Sequence, residues 1–202
     1  MLAALACGLA LAGPVDWQPR ANGLDIEVRV PAVVVGPAAT DGYSSVVLDG
    51  AGYIDAIGAP MVPVYRELIE VPYGAEVVLE TEAAGVETER LELPLLPRQA
   101  PVPKSGPLSG FALDEKAYSR DEFGPVIGAR IAGDVISRGH RLVLVEVFPV
   151  SYNPETQELR VARDLVVRVR WTGADYGRTA ERQERYDSPV FENRLRGVVL
   201  NE

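Results

Sequence analysis

Cysteine and histidine are almost absent from this chain of 202 residues, which contains one of each. The cysteine, Cys7, lies in an apolar N-terminal run, and the histidine, His140, lies among arginines in a predicted turn. The chain beyond Cys7 therefore has no disulfide framework and no cysteine-based metal site, and a Cys/His or Ser/His/Asp catalytic group cannot be assembled convincingly. We interpret His140 as an exposed turn residue, and we expect a protein that is not an enzyme, with no cofactor and no metal.

Other signatures of chemistry are also missing. No glycine-rich phosphate loop connects a strand to a helix, and no HExxH motif is present. Glu87, Glu89 and Glu92 alternate with basic or polar residues, which is typical of a solvated face rather than of a glycosidase pair. The formal net charge of -9 argues against nucleic acid or an anionic membrane surface as the partner, because neither would be attracted.

The N-terminus has the features of an export signal. Residues 1–12 are apolar and end in Ala10-Leu11-Ala12, which is typical of a signal peptidase site, although a basic start is missing. The apolar run is too short to cross a bilayer as a helix. We therefore expect a secreted, cell-surface or periplasmic protein of bacterial type, with no membrane contact beyond secretion.

The remaining composition favours strands. Hydrophobic residues make up 47% and charged residues 24% of the chain, which are ordinary globular values. With 16 prolines, 19 glycines and short apolar runs, the sequence predicts an all-β antiparallel sandwich or barrel. We expect one domain over residues 13–187, followed by a C-terminal segment over residues 188–202.

The strongest signal is a long β-hairpin over residues 141–171. Its turn is predicted at residues 152–157, where proline and asparagine favour chain reversal. In the second arm, apolar residues alternate from Leu165 to Trp171, which is the pattern of a strand with one solvated face. Arg163 interrupts this alternation and predicts a bulge or a strand break near residues 162–164, and Pro149 predicts an edge or a bulge in the first arm.

Earlier strands are predicted from similar patterns. Alternation from Leu24 to Val30 predicts a half-buried strand. Further strands are predicted at residues 66–71 and 75–82, and another at residues 86–93.

A proline-rich stretch then interrupts the strands. Residues 93–110 contain five prolines, which can hardly pair within a sheet, so we predict a long, exposed and semi-rigid loop. Lys104 lies between Pro103 and Ser105 in this loop. Because prolines restrict the unbound loop, less entropy would be lost when it entered the cleft of a partner.

Three segments together resemble a known family. They are Gly58-Ala59-Pro60-Met61-Val62-Pro63, the stretch from Phe148 to Thr156 followed by Leu159-Arg160-Val161, and the end from Ser188-Pro189-Val190-Phe191 to Val199-Leu200-Asn201. This arrangement resembles the N-terminal prodomain of gingipain-like cysteine peptidases, family C25, over most of residues 24–201. The resemblance implies a jelly-roll-like β-sandwich that caps the peptidase domain following it in the precursor.

The resemblance also implies an inhibitory site. In such prodomains a basic residue on an exposed loop enters the specificity pocket of the peptidase. Lys104, with Pro103 and Ser105 beside it, falls close to that position, and Arg98 is the reserve candidate. The implied partner is the cognate C25 peptidase domain, bound in cis or after cleavage. A lysine here indicates that the partner prefers lysine, or accepts both lysine and arginine.

Two other functions compete with this one. A secreted β-sandwich that binds carbohydrate or a surface protein would need clustered exposed aromatic residues, and Tyr43, Tyr53, Tyr65 and Tyr73 are the available ones. A hydrolase ranks last, because the chain has a single histidine.

Overall fold

The structure, a computed structural model, describes residues 14–30, 32–102, 104–105 and 110–201. The predicted signal segment, residues 1–12, and Pro103 lie outside the described residues. Within the described part of the chain, no helix combines the length and the apolar character that crossing a membrane requires.

Strands dominate the described residues. In chain order they are β1 Val15–Arg20, β2 Gly23–Arg29, β3 Val34–Pro37, β4 Ser44–Val47, β5 Gly52–Tyr53, β6 Pro63–Glu70, β7 Glu76–Arg90, β8 Gly128–Ser137, β9 His140–Phe148, β10 Val150–Asn153 and β11 Glu158–Thr172. The helices are short: α1 Glu115–Tyr118, α2 Tyr176–Arg185 and α3 Pro189–Leu195.

The first sheet is built around β11. Strand β7 pairs with it antiparallel along its whole length, and β2 and β10 share its other side, with β1 beyond β2. The second sheet has the order β5-β6-β9-β8, also antiparallel, and β3 and β4 form a separate ribbon. The prediction of an all-β antiparallel sandwich is confirmed.

The inner faces of the two sheets form one hydrophobic core. Alternate residues of each strand point inward, as the two-residue period of a strand requires. Core members that are at most 1% exposed include Ile26, Val28, Leu165, Val167 and Val169 of the first sheet and Ile69, Val143, Val145 and Val147 of the second. Each such side chain stabilises the fold by about 1.5–3 kcal/mol relative to exposure to water.

Pro149 is where the chain crosses between the sheets. Strand β9 belongs to the second sheet and ends at Phe148, whereas β10 belongs to the first sheet and begins at Val150. The predicted hairpin over residues 141–171 is therefore correct only for β10 and β11, whose turn is held by the Asn153 side chain. Proline lacks the N–H that a continuous ladder would need, which makes it suitable at the crossing.

Two further predictions about strands are wrong. Near Arg163, where a bulge or a strand break was predicted, β11 continues without a break and without a register shift against β7. What changes there is its other neighbour, from β10 to β2. The strands predicted at residues 75–82 and 86–93 are one strand, β7. The equally long β11 offers a pairing partner along both halves of β7, so Gly85 does not end the strand.

Candidate functional site

The base of the proline-rich loop pairs with the sandwich. The amide of Leu96 donates to Ser44 O at 2.8 Å, and the amide of Met61 donates to Leu96 O at 2.9 Å. Arg98 exchanges two backbone hydrogen bonds with the turn at Gly58 and Ala59. The prediction that this stretch does not pair is therefore wrong for its first part, because the residues between the prolines retain their N–H groups.

Leu95 is a buried anchor at the base of the loop. Its side chain is 1% exposed. Its amide donates to the hydroxyl of Tyr152 at 3.3 Å, and its carbonyl oxygen accepts from the hydroxyl of Tyr118. Burial raises the pKa of both tyrosines, so both hydroxyls stay protonated over the whole physiological range.

The two ends of the loop are tied together further out. The Gln99 side chain accepts from Ala112 N at 2.9 Å and donates to Ala112 O at 2.9 Å. The ring of Phe111 packs on Tyr43 with 5.7 Å between centroids. The loop therefore leaves and re-enters the body at one closed neck formed by Gln99 and Ala112.

Beyond this neck the described residues are exposed from Pro101 onwards. Lys104 and Ser105 lie on the surface, and the side chain of Val102 is 76% exposed. Pro103, predicted beside them, is outside the described residues. Arg98 instead lies at the base and is half-buried, and its Nε has no hydrogen-bond partner among the described residues. The structure thus places Lys104 beyond the neck and Arg98 before it.

Comparison with known proteins identifies the family of this chain. A family model described as Propeptide_C25 matches residues 41–191, which include β4 to β11, α1, α2 and the first residues of α3. The chain belongs to this propeptide family. The resemblance inferred from the sequence is therefore confirmed, and the chain is a non-catalytic prodomain of gingipain-type C25 peptidases.

The curated relatives are much longer proteins. Lys-gingipain HG66 of Porphyromonas gingivalis is 29% identical over 156 residues, which cover 74% of this chain and 9% of the relative. Lys-gingipain W83 of the same species is 28% identical over the same shares. The chain thus spans about a tenth of the length of these relatives.

Two solved structures share the fold. One, described as structural insight into zymogenic latency of gingipain K from Porphyromonas gingivalis, has a TM-score of 0.68 at 26% identity and covers 79% of this chain and 93% of its own. The other, a complex of Porphyromonas gingivalis RgpB pro- and mature domains, has a TM-score of 0.74 at 18% identity. It covers 94% of this chain and 98% of its own, and at this identity it shows the fold alone.

A cleft of about 370 Å³ lies beside the loop base of this C25 propeptide. Its charged centre is Glu146, which accepts from Arg66 Nε at 2.9 Å and from Arg130 Nε at 2.8 Å. Burial alone would raise the pKa of Glu146, but the hydrogen bonds and charges of Arg130 and Arg66 outweigh it and lower this pKa. Glu146 is therefore an ionised structural group whose oxygens are both engaged. No cluster of three potential metal ligands occurs among the described residues.

The four tyrosines considered for carbohydrate binding do not form a platform. Tyr65 and Tyr73 are 2% and 4% exposed. The hydroxyl of Tyr53 donates to Val46 O, and Tyr43 packs on Phe111. Stacking on a sugar requires exposed ring faces, so the structure gives this alternative no support.

The interpretation of His140 as an exposed turn residue is wrong. Its side chain is 4% exposed, because α2 and the segment containing α3 lie over the turn between β8 and β9. Each ring nitrogen faces a carboxylate, Glu70 on one side and Glu192 on the other. A sequence signal for this cover existed: Phe191, Leu195 and Val199 recur every four residues, the spacing of one helix face.

Proposed function

We propose that this chain is the inhibitory and folding-assisting propeptide of a secreted gingipain-like cysteine peptidase. In this proposal residues 13–187 are the inhibitory domain, residues 188–202 lead towards the peptidase, and residues 1–12 direct export. The partner is the cognate C25 peptidase domain, bound in cis or after cleavage. Family membership and the structural similarity to gingipain prodomains support it.

The observation that carries the proposal is the braced loop. Backbone bonds at Leu96 and Arg98 and the neck at Gln99 hold the base, while Lys104 lies exposed beyond it. A loop that is already held at both ends loses less conformational entropy on entering a cleft than a free peptide does. The sandwich thus holds the base of the loop in place, and Lys104 beyond the neck provides the positive charge.

Lys104 would act as a substrate side chain in the specificity pocket. Its ammonium group has three donors and would meet a pocket carboxylate in charge-assisted hydrogen bonds. The loop would keep the adjacent peptide bond out of line for attack by the catalytic cysteine, so the chain is held and not cut. A lysine at the tip, with Lys-gingipains among the relatives, favours a peptidase that prefers lysine.

A titration of the purified propeptide against its cognate peptidase tests this role. The chain has only two lysines, Lys104 and Lys116, and the second is an exposed residue of α1. Lys104→Ala should weaken inhibition by about 30-fold or more, because losing one partner of a desolvated interfacial ion pair costs about 2–5 kcal/mol. Lys116→Ala is the matched control and should inhibit as the wild type does.

Two more variants separate the alternatives. Lys104→Arg should retain most inhibition only if the pocket accepts both cations, since the guanidinium is larger and planar. Arg98→Ala tests the reserve candidate. Full inhibition by both Lys104→Ala and Arg98→Ala would refute the loop mechanism, whereas a silent Lys104→Ala with a weakened Arg98→Ala would move the role to Arg98.

A further inference from the structure

Residues 188–201 form a C-terminal latch on the outer face of the second sheet. Leu195 and Val199 are each 5% exposed and pack on Leu142, with Leu68 and Phe191 beside them. The amide of Leu200 donates to Leu68 O at 2.8 Å, so the latch lies alongside β6. Leu195 and Val199 thus belong to a small cluster separate from the main core, and Leu200 alone of the latch packs against that core. The stability of the latch therefore depends on few groups.

Asn201 completes the attachment at the end of the latch. Its side-chain oxygen accepts from Glu70 N at 2.7 Å, and its Nδ2 donates to Glu70 O at 3.0 Å. The backbone of Glu70 is therefore engaged by the latch, while its carboxylate is turned to His140. One residue of β6 thus connects the latch to the histidine.

His140 bridges two carboxylates that belong to different elements. Its Nδ1 lies 2.8 Å from Glu70 Oε1 of β6, and its Nε2 lies 3.2 Å from Glu192 Oε1 of α3. An ionised carboxylate only accepts hydrogen bonds, so both ring nitrogens must donate, which only the protonated imidazolium can do. In the neutral ring one nitrogen would direct a lone pair at a carboxylate within a buried site.

The surroundings add negative charge and leave the ring few other partners. Gln183 of α2 donates to Glu70 Oε1 at 2.7 Å and fixes that carboxylate. A cleft of about 350 Å³ adjoins the ring. The charged groups facing this region from the packed elements are Glu70 of β6, Glu184 and Asp187 at the end of α2, Glu192 of α3, and Arg138, which lies over the Phe191 ring from the turn between β8 and β9.

We infer that protonated His140 holds the C-terminal latch on β6, and that the latch detaches when this histidine loses its proton. Detachment would free α3 from the sheet while leaving the sandwich core largely intact, because Leu195, Val199 and Phe191 belong to a separate cluster and Leu200 is the latch residue that packs against the main core. It would also release the backbone at Arg194, in the last turn of α3, and at Arg196, which caps that helix. The inference does not depend on the role of Lys104.

Hydrogen exchange of the full chain at pH 5.5 and pH 8.0 tests the inference. Protection factors, corrected for the intrinsic pH dependence of exchange, would be compared for the amides of Leu200 and Glu70, with Val167 of β11 as the core reference. We expect protection at Leu200 and Glu70 to fall roughly tenfold or more at pH 8.0, the loss expected for one charge-assisted hydrogen bond, with Val167 unchanged. The single histidine also gives one set of imidazole NMR signals, which reports whether the ring is protonated at each of the two pH values.

Two variants distinguish this mechanism from a purely structural role. His140→Gln cannot change its charge, so the pH-dependent step at Leu200 should disappear. Glu192→Gln provides an amide that can donate to the neutral ring nitrogen, so the latch should stay protected at pH 8.0. Equal protection of the wild type at both pH values, or the same loss in Glu192→Gln as in the wild type, would overturn the inference.

Discussion

Removing the hydroxyls of Tyr118 and Tyr152, which both bond to the backbone of Leu95, should show how much these hydrogen bonds stabilise the loop base. Tyr152→Phe leaves the buried amide of Leu95 without a partner, which costs about 1–3 kcal/mol. Tyr118→Phe removes the donor to the carbonyl oxygen of the same residue and should cost about 1 kcal/mol. Neither change opens a cavity in the core, because only one oxygen atom is lost.

The two effects should not add. Both hydroxyls stabilise the position of one residue, so once Leu95 has moved, the second hydroxyl has little left to hold. Groups that share a network commonly show an interaction energy of about 0.5–3 kcal/mol. We therefore expect the double variant to lose at least about 0.5 kcal/mol less than the sum of the single variants.

Urea unfolding followed by tryptophan fluorescence measures these values, since Trp17 and Trp171 both belong to the first sheet. With a slope near 2 kcal/mol per molar urea, a loss of about 1.5 kcal/mol lowers the midpoint by about 0.7 M. Tyr186→Phe, at a tyrosine that is 42% exposed, is the control and should stay within about 0.5 kcal/mol of the wild type. Strict additivity, or single variants as stable as this control, would refute the reasoning.

Further predictions concern the sandwich itself. Ile26→Ala removes a side chain that is 0% exposed and should lower the free energy of unfolding by about 2–5 kcal/mol in the same urea assay. Gly139→Ala should lower the free energy of unfolding by about 1–3 kcal/mol, because φ is +89° and the new Cβ would lie 2.4 Å from a carbonyl oxygen of α2. Gly133→Ala is the control, since its nearest contact is at 3.7 Å, and thermal unfolding should show almost no change in its stability. Because the pKa of Glu146 is lowered in the folded state, this carboxylate contributes fully to the stability of the fold above its ordinary pKa of 4.5. That contribution is lost as the pH falls through the lowered pKa of the folded state. Glu146→Gln should therefore flatten the decline in stability between pH 5 and pH 3, whereas Glu122→Gln, at an exposed carboxylate, should leave that decline unchanged.

The sequence predicted the fold class because the two-residue period is a local property. Alternation at Leu24 to Val30 and at Leu165 to Trp171 requires only that one face be buried, and both segments are strands of the first sheet. The turn at Asn153 was predictable for the same reason, since the asparagine side chain bonds to its own backbone neighbours.

What the sequence could not predict depends on distant partners. A proline at position 149 is compatible with an edge, a bulge or a crossing between sheets, and only the pairing of β9 with β6 decides among them. The burial of His140 depends on residues about 50 positions later that fold over it. At the candidate site the exposed Lys104 was predictable from its prolines, whereas the paired base of the loop was not, because Ser44 and Met61 lie far away in the chain.

The position of β11 has a consequence for the order of folding. The central member of the first sheet is the last strand that a ribosome releases in the described chain, and β2 and β7 meet only through it. Until β11 has been synthesised, β2 and β7 each expose one strand edge with unpaired backbone N–H and C=O groups, and such edges can pair with other chains. Assembly of this layer must therefore wait for residues near position 172, and such long-range closure is slow.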